Sequence, residues 1–230
     1  MQETIVIPRR FRGPPSSANG GYAAGLLASF LDGPAEVTLR RPPPLERELG
    51  VERRGAAAVL LDGAVLVAEA VPAVVDVAPP EIVSLDAAAA AAQRSPVLEH
   101  PEWHPFPGCF VCGPDRAPGD GMRVFPGHVA GTGVFAAPVS FPDAVSTVLV
   151  WAALDCPSSY VMYLGGARPE SAYVLGRIAA RIDRLPDAGE PVVAVSWRLG
   201  AEGRKLFSAS ALLDATGTVC AAARATWISV

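Results

Sequence analysis

An acidic residue lies in an otherwise apolar helical segment of this chain. Asp155 follows the run Trp151-Ala-Ala-Leu154, and Pro157 is expected to end or kink the helix two residues later. A carboxylate in such surroundings must be hydrogen-bonded, paired or functional, because burying an unpaired charge is costly. Asp155 is therefore the first candidate catalytic residue, either as a general base or as a nucleophile. The alternative is an acid exposed at a helix end, where the helix dipole disfavours it.

The start of an apolar helix near the N-terminus is a second candidate site. Asn19-Gly20-Gly21 precedes the apolar run from Tyr22 to Leu31, which Asp32-Gly33-Pro34 closes. The first amides of a helix have no intrahelical partner and carry the positive end of its dipole, so they can polarise a carbonyl or hold an oxyanion. The alternative interpretation is a tight turn before a buried helix, with no chemical role.

Soft or borderline metal ligands are concentrated in one Pro-rich segment. Four of them fall within thirteen residues, namely His100, His104, Cys109 and Cys112. A tetrahedral zinc site could use this composition, which would make the protein a zinc-stabilised interaction module. The pattern lacks the two paired Cys-x2-Cys motifs of a strong zinc signal, so a structural loop without metal is the favoured interpretation.

Composition excludes several classes of protein. The 230 residues are 50% hydrophobic, enough to fill a core, and the net charge of −4 gives no electropositive surface for nucleic acid. No apolar run reaches the roughly 20 residues that cross a bilayer, and Met1-Gln2-Glu3 does not resemble the start of a signal peptide. Four cysteines are too few for a disulfide framework. We expect a cytoplasmic protein with free thiols and with neither nucleic-acid nor membrane partners.

The predicted elements repeat one order twice, a strand and an apolar helix followed by antiparallel strands. With 22 glycines, 23 prolines and only 18% charged residues, the chain is expected to form many short strands. In the first repeat the strands are predicted at 3–7, 35–41, 45–54, 56–61 and 64–77. A short helix at 86–93 follows in the Pro-rich segment. In the second repeat the helix is predicted at 143–155 and the strands at 121–126, 130–137, 172–184, 190–200, 203–214 and 218–229.

The order of these elements resembles that of a known superfamily. Together with Asn19-Gly20-Gly21-Tyr22, the run Cys109-Phe-Val-Cys112-Gly113 and the run Gly119-Asp-Gly121-Met-Arg-Val, it is similar to the hotdog-fold thioesterases in a double-hotdog arrangement. The resemblance implies an α+β fold in which two antiparallel sheets each wrap around one long helix. The implied domains are an N-terminal hotdog over 1–79, a Pro-rich linker with a short helix over 80–107, and a C-terminal hotdog over 108–230.

The resemblance also implies roles for the candidate residues. The amides of Gly21 and Tyr22 would form the oxyanion hole and Asp155 would be the catalytic acid, because the superfamily combines amides from one hotdog with an acid from the other. A gapless alignment of the two helices places Gly20-Gly21 over Ser146-Thr147 and Ser29 over Asp155, so one of two related sites would be inactive. The expected substrate-binding residues are Asn19, Gly20, Ser146 and Thr147.

The implied activity is hydrolysis of an acyl-CoA or acyl-carrier thioester, in a chain that forms a homodimer. No cofactor is expected, since coenzyme A would enter only as part of the substrate. A non-catalytic acyl-thioester binding protein of the same fold is the alternative function. Several arginines could hold coenzyme A phosphates, and the sequence selects none of them. They are Arg9, Arg10, Arg12, Arg40, Arg41, Arg116 and Arg123.

Overall fold

The computed structural model describes residues 3–230, and the first half of the chain confirms the predicted order of one helix and five strands. Strand β1 precedes helix α1, and an antiparallel meander follows the helix. The bounds are β1 Glu3–Val6, α1 Gly20–Ala28, β2 Ala35–Leu39, β3 Glu48–Arg54, β4 Ala57–Asp62 and β5 Val65–Pro72.

The second half repeats this plan with longer strands. Two short helices connect the halves, α2 (Leu85–Ala92) and α3 (Pro96–Glu99). The bounds that follow are β6 Gly127–His128, β7 Val134–Val139, α4 Thr147–Ser159, β8 Tyr173–Ile182, β9 Val192–Glu202, β10 Lys205–Leu213 and β11 Val219–Ser229. Within residues 3–230 no helix is both long enough and apolar enough to cross a membrane.

The strand predicted at 121–126 is wrong. The amides of Met122 and Val124 donate to the carbonyls of Phe110 and Val111, at 2.9 Å each, so this segment is tied to the Cys109–Cys112 turn. Arg123 between them has φ 52°, a left-handed conformation that interrupts an extended strand. Only the two-residue strand β6 follows.

The eleven strands of residues 3–230 form one continuous sheet, in the order β1-β3-β4-β5-β2-β8-β11-β10-β9-β7-β6. The halves join through the antiparallel pair of β2 and β8, in which Glu36 lies opposite Ala179. The predicted double-hotdog α+β fold is therefore confirmed, with its two sheets joined edge to edge. The domain limits at 79 and 107 stay predictions.

Helices α1 and α4 pack against each other in opposite directions inside the sheet. A Cβ atom on Gly21 would lie 2.3 Å from Cβ of Asp155, and one on Gly25 would lie 2.8 Å from Cβ of Trp151. Real Cβ atoms do not approach so closely, so both glycines are needed for the helices to come together. The mostly apolar helices are buried because the sheet covers their remaining surfaces.

The helix caps correct the predicted alignment of the two helices. Asn19 caps α1 by accepting a 2.8 Å hydrogen bond from the Tyr22 amide, and Ser146 caps α4 in the same way through the Leu149 amide. Matching the caps pairs Gly20 with Thr147 and Asp155 with Ala28, one residue from the predicted pairing. Helix α4 therefore begins later than the predicted Asp143.

Pro157 does not end helix α4. The helix continues to Ser159 and runs into a 3-10 turn over Tyr160–Tyr163. The hydroxyl of Ser158 donates to the carbonyl of Asp155 at 2.7 Å, and that of Ser159 donates to the carbonyl of Cys156 at 2.8 Å. These bonds satisfy carbonyls in the last turn of the helix, where few intrahelical amides remain to do so.

Candidate active site

The predicted acid and the predicted helix start meet in the interior of the protein. Asp155 is 1% exposed, and its Oδ2 accepts a 2.8 Å hydrogen bond from the Gly21 amide and a 3.0 Å bond from Nδ2 of Asn19. Asp155 belongs to α4 in the second half, whereas Asn19 and Gly21 belong to the first half. The two halves thus place an acid and a helix N-terminus in direct contact.

The environment of Asp155 changes its protonation. Burial raises the pKa of its carboxyl to about 7, although the Gly21 and Asn19 hydrogen bonds act in the opposite direction. A carboxyl group with a pKa near neutrality can both accept and return a proton, which suits a general base. Oδ1 of Asp155 is buried and has no hydrogen-bond partner among the described residues.

The two amides predicted to form the oxyanion hole are both engaged within the chain. The Gly21 amide donates to Asp155, and the Tyr22 amide donates to Oδ1 of Asn19 at 2.8 Å. Their oxyanion role stays a prediction. Gly20 is the first-turn residue of α1 that lines the neighbouring cavity.

That cavity has a volume of about 300 Å³, within the size range of small-molecule sites. Asp155 and Asn19 line it, and apolar side chains supply most of the remaining wall. Tyr160 also lines the cavity, and its buried hydroxyl has no hydrogen-bond partner among the described residues. Two further lining residues, Arg40 and Arg41, are exposed. The apolar wall residues include Leu39, Tyr163, Leu175 and Trp227.

Ser146 and Thr147 lie apart from this group. Ser146 caps the N-terminus of α4, and Asp155 is eight residues beyond Thr147, about 12 Å along a helix. Neither residue is among those that line the cavity in the described part of the chain. Their substrate-binding role stays a prediction, at a place where the structure does not join them to Asp155.

Three buried cysteines form a cluster, and one of them, Cys156, lies next to Asp155. The Sγ atoms of Cys109 and Cys156 are 3.7 Å apart, and those of Cys109, Cys112 and Cys156 all lie within 4.8 Å of one another. Nδ2 of Asn19 lies 3.3 Å from Sγ of Cys156. Hydrogen bonds from the other two thiols, followed by backbone amides, hold the pKa of Cys109 well below its usual range despite burial.

His104 contacts this cluster through one ring nitrogen. Its Nε2 lies 3.2 Å from Sγ of Cys112, while its Nδ1 accepts a 3.0 Å hydrogen bond from the Phe106 amide. Because Nδ1 accepts, a neutral ring carries its proton on Nε2 and donates it to the sulfur. Burial lowers the pKa of His104, which favours this neutral ring.

Of the four residues considered from the sequence as metal ligands, His100 lies apart from the other three. His100 is exposed and stacks on Trp103, with ring centroids 4.1 Å apart, and its Nδ1 lies 3.5 Å from Oε1 of Glu102. Cys156, which was not among the candidate ligands predicted from the sequence, lies beside Cys109 and Cys112 instead. Cys156 follows Asp155 directly, and that adjacency was the available signal.

No protein-family model and no curated protein matches this chain. Solved structures do match it over its whole length. A candidate thioesterase from Novosphingobium aromaticivorans superposes with a TM-score of 0.65 at 12% identity over 95% of that chain. A candidate thioesterase II from Thermobifida fusca gives 0.63 at 14% identity over 92% of that chain.

The dehydratase domain of a mycocerosic acid synthase-like polyketide synthase matches equally well. Its TM-score is 0.65 at 13% identity, over all of this chain and 90% of that one. At such identities the likeness establishes the fold and leaves the reaction to the residues of the site. The chain therefore has the hotdog fold, in a double arrangement.

Proposed function

We propose that this protein hydrolyses an acyl thioester in the cavity beside Asp155. The observation that carries this proposal is the unpartnered Oδ1 of a buried carboxylate that lines a largely apolar cavity. Buried polar atoms are rarely left without a partner, so an unpaired oxygen in such a place is expected to meet a ligand or a water. The positive end of the α1 dipole lies next to this oxygen and can polarise the thioester carbonyl.

The two oxygens of Asp155 have separate tasks in this proposal. Oδ2 is fixed by Gly21 and Asn19, which orients the carboxylate and leaves Oδ1 for the chemistry. As a base, Oδ1 takes a proton from water while the water oxygen attacks the carbonyl carbon, and the thiolate that leaves is then protonated. As a nucleophile, Oδ1 attacks the same carbon, the thiolate leaves, and water hydrolyses the mixed anhydride.

The thioester oxygen lies at the first turn of α1. The Tyr22 and Gly21 amides are already hydrogen-bonded, so we assign the carbonyl to the amide of Gly20, the first-turn residue that lines the cavity. A Cβ atom on Gly20 would come within 2.8 Å of the Leu175 side chain, so the absence of a side chain keeps this corner open. Negative charge that develops on the oxygen is stabilised there by the helix N-terminus.

The cavity suggests the kind of acyl thioester. Exposed Arg40 and Arg41 among the lining residues can pair with the phosphates of coenzyme A. Burial raises the pKa of Tyr160 well above its usual range, so its phenol stays protonated as a hydrogen-bond donor inside the apolar wall. We assign the cavity to an acyl-CoA whose acyl group carries an oxygen substituent.

Thiol release from a panel of acyl-CoAs tests this function. The panel contains plain, hydroxylated and aromatic acyl groups, each measured by direct binding and by release of free thiol. Release of coenzyme A that requires the protein supports hydrolysis. Binding without release on every substrate would favour the non-catalytic binding protein, and formation of an enoyl product would favour dehydration instead.

A further inference from the structure

We propose that Cys109, Cys112 and Cys156 bind a zinc ion on the wall of the cavity, with His104 as a hydrogen-bond donor to one of the sulfurs. This site goes beyond the proposed hydrolysis, which uses no metal. The ion would join the loop that contains Cys109 and Cys112 to helix α4.

The sulfur positions fit a zinc ion. With zinc–sulfur bonds of about 2.3 Å, a tetrahedral ion holds its ligands about 3.8 Å apart. The Sγ atoms of Cys109 and Cys156 are already 3.7 Å apart, and the third sulfur lies within 4.8 Å of both. The cluster needs only a small adjustment of the Cys112 side chain to enclose an ion.

The loop that carries two of these cysteines is tightly built. The Gly113 amide donates a 2.9 Å hydrogen bond to the Cys109 carbonyl and closes the Cys-x2-Cys turn. A Cβ atom on Gly113 would lie 2.4 Å from the Pro107 carbonyl oxygen and 2.5 Å from that of Cys109. Only glycine fits there, so the turn is fixed in the shape that directs both thiols to one side.

N–H groups surround the sulfurs as they do around metal-bound thiolates. Nε2 of His104 lies 3.2 Å from Sγ of Cys112, and Nδ2 of Asn19 lies 3.3 Å from Sγ of Cys156. Because the Phe106 amide occupies Nδ1 of His104, the proton on Nε2 makes this ring a donor to sulfur instead of a metal ligand. Such outer contacts orient the ligands and tune the affinity for metal.

The fourth position of the ion is left for a ligand from the cavity. All three cysteines line that cavity together with Asp155, whose Oδ2 lies 4.0 Å from Sγ of Cys156. A divalent cation would compensate the charge of the thiolates that bind it away from water. Sites with three protein ligands and one open position are a known arrangement for zinc.

Metal content and cobalt spectroscopy test the site without any substrate, so the result does not depend on thioester hydrolysis. The full chain is purified under reducing conditions and its zinc content is measured. The metal is then removed, and Co²⁺ and Zn²⁺ are titrated back into the wild type and into Cys109→Ser, Cys112→Ser and Cys156→Ser. Cys220→Ser and His100→Ala are the matched controls, since Cys220 is buried in β11 and His100 lies outside the cluster.

We expect about one zinc per wild-type chain and the intense thiolate-to-cobalt charge-transfer absorption of a tetrahedral site. Both controls keep the metal, whereas each serine variant of the cluster loses it. His104→Ala keeps the cobalt spectrum but weakens zinc binding by about 10- to 100-fold, as expected for an outer-shell donor.

Failure of the reduced wild type to bind either ion overturns the proposal, and this titration decides the matter even where a serine variant fails to fold. Unchanged metal binding in folded Cys156→Ser also overturns it. A Cys109–Cys156 disulfide found by mass spectrometry, with no zinc bound after reduction, would assign these thiols to redox chemistry instead.

Discussion

The backbone amide of Gly21 donates a 2.8 Å hydrogen bond to Oδ2 of Asp155, a residue 134 positions further along the chain. This one bond connects the first turn of α1 to the third turn of α4, and therefore connects the two halves of the double hotdog. It fixes one carboxylate oxygen and leaves the other without a partner. Neither half of the chain contains the site alone.

Gly21→Ala is expected to destabilise the protein and lower any hydrolysis. The new Cβ would lie 2.3 Å from Cβ of Asp155 and 2.7 Å from the Trp151 carbonyl oxygen, so the helices must separate. Overpacking of this kind costs about 1–3 kcal/mol in the free energy of unfolding. Chemical denaturation measures the loss. Gly133→Ala is the control, because its Cβ would meet no atom within 4 Å; equal stability of the two variants would contradict the close helix contact.

Arg41→Ala is expected to raise KM for acyl-CoA by about 3- to 10-fold, as the loss of one charged hydrogen bond to phosphate does. With an acyl thioester of N-acetylcysteamine, which lacks the nucleotide, KM should not change. Arg54→Ala is the control, since Arg54 pairs with Glu52 on β3 and does not line the cavity. An equal rise in KM for both thioesters would show that Arg41 does not bind the nucleotide part of coenzyme A.

Tyr160→Phe is expected to leave the free energy of unfolding unchanged or slightly higher. The hydroxyl that it removes is buried and has no partner among the described residues, so its loss costs the folded state no hydrogen bond. The preference for a hydroxylated over a plain acyl-CoA should fall by about 3- to 10-fold in kcat/KM. A preference that does not change would show that Tyr160 does not contact the acyl group.

Asp214→Asn is expected to destabilise the turn between β10 and β11 in a pH-dependent way. Oδ1 of Asp214 accepts hydrogen bonds from the amides of Thr216 and Thr218, and Oδ2 lies 2.7 Å from Arg184. The Thr216 hydroxyl also donates to Oδ1 at 2.6 Å, and this bond, followed by Arg184 and the two amides, lowers the pKa of the carboxyl from 3.8. The stabilisation is therefore present above pH 3.8 and is lost as the pH falls through the lower folded-state pKa.

Thermal unfolding at pH 7 and at successively lower pH measures this effect. The difference in midpoint between wild type and Asp214→Asn should shrink as the medium becomes more acidic. Asp187→Asn, in the neighbouring turn between β8 and β9, is the control for a lost surface charge. A difference that is constant with pH would show that the carboxylate contributes nothing through its charge.

Local patterns in the sequence predict most of the fold. The order of elements and the two apolar helices follow from alternation, turn residues and helix closing signals, and the structure confirms them. The strand expected at 121–126 fails because a distant partner decides its conformation. Met122 and Val124 bond to the Cys109–Cys112 turn, and nothing in their own residue types indicates this.

The contact between Asp155 and the Asn19–Gly21 corner follows from pairing two halves that have complementary residues. The sequence could not predict that the Gly21 and Tyr22 amides are already hydrogen-bonded, because their acceptors are the side chains of Asp155 and Asn19. The sequence also did not predict that Cys156 lies beside Cys109. Cys156 is on α4 and Cys109 is in an earlier loop, and only the packing of α4 brings the two sulfurs together.

Replacement of Asp155 by asparagine tests the central claim most directly. The variant keeps the shape of the side chain and an oxygen for the Gly21 amide, but it cannot take a proton from water or attack as a carboxylate. With circular dichroism and thermal midpoint close to those of the wild type, thiol release from acyl-CoA should fall by about 10²- to 10⁴-fold in kcat. Asp143→Asn, which changes an exposed acid paired with Arg10, should retain wild-type activity. Wild-type turnover in folded Asp155→Asn would contradict the account and make this carboxylate a structural group.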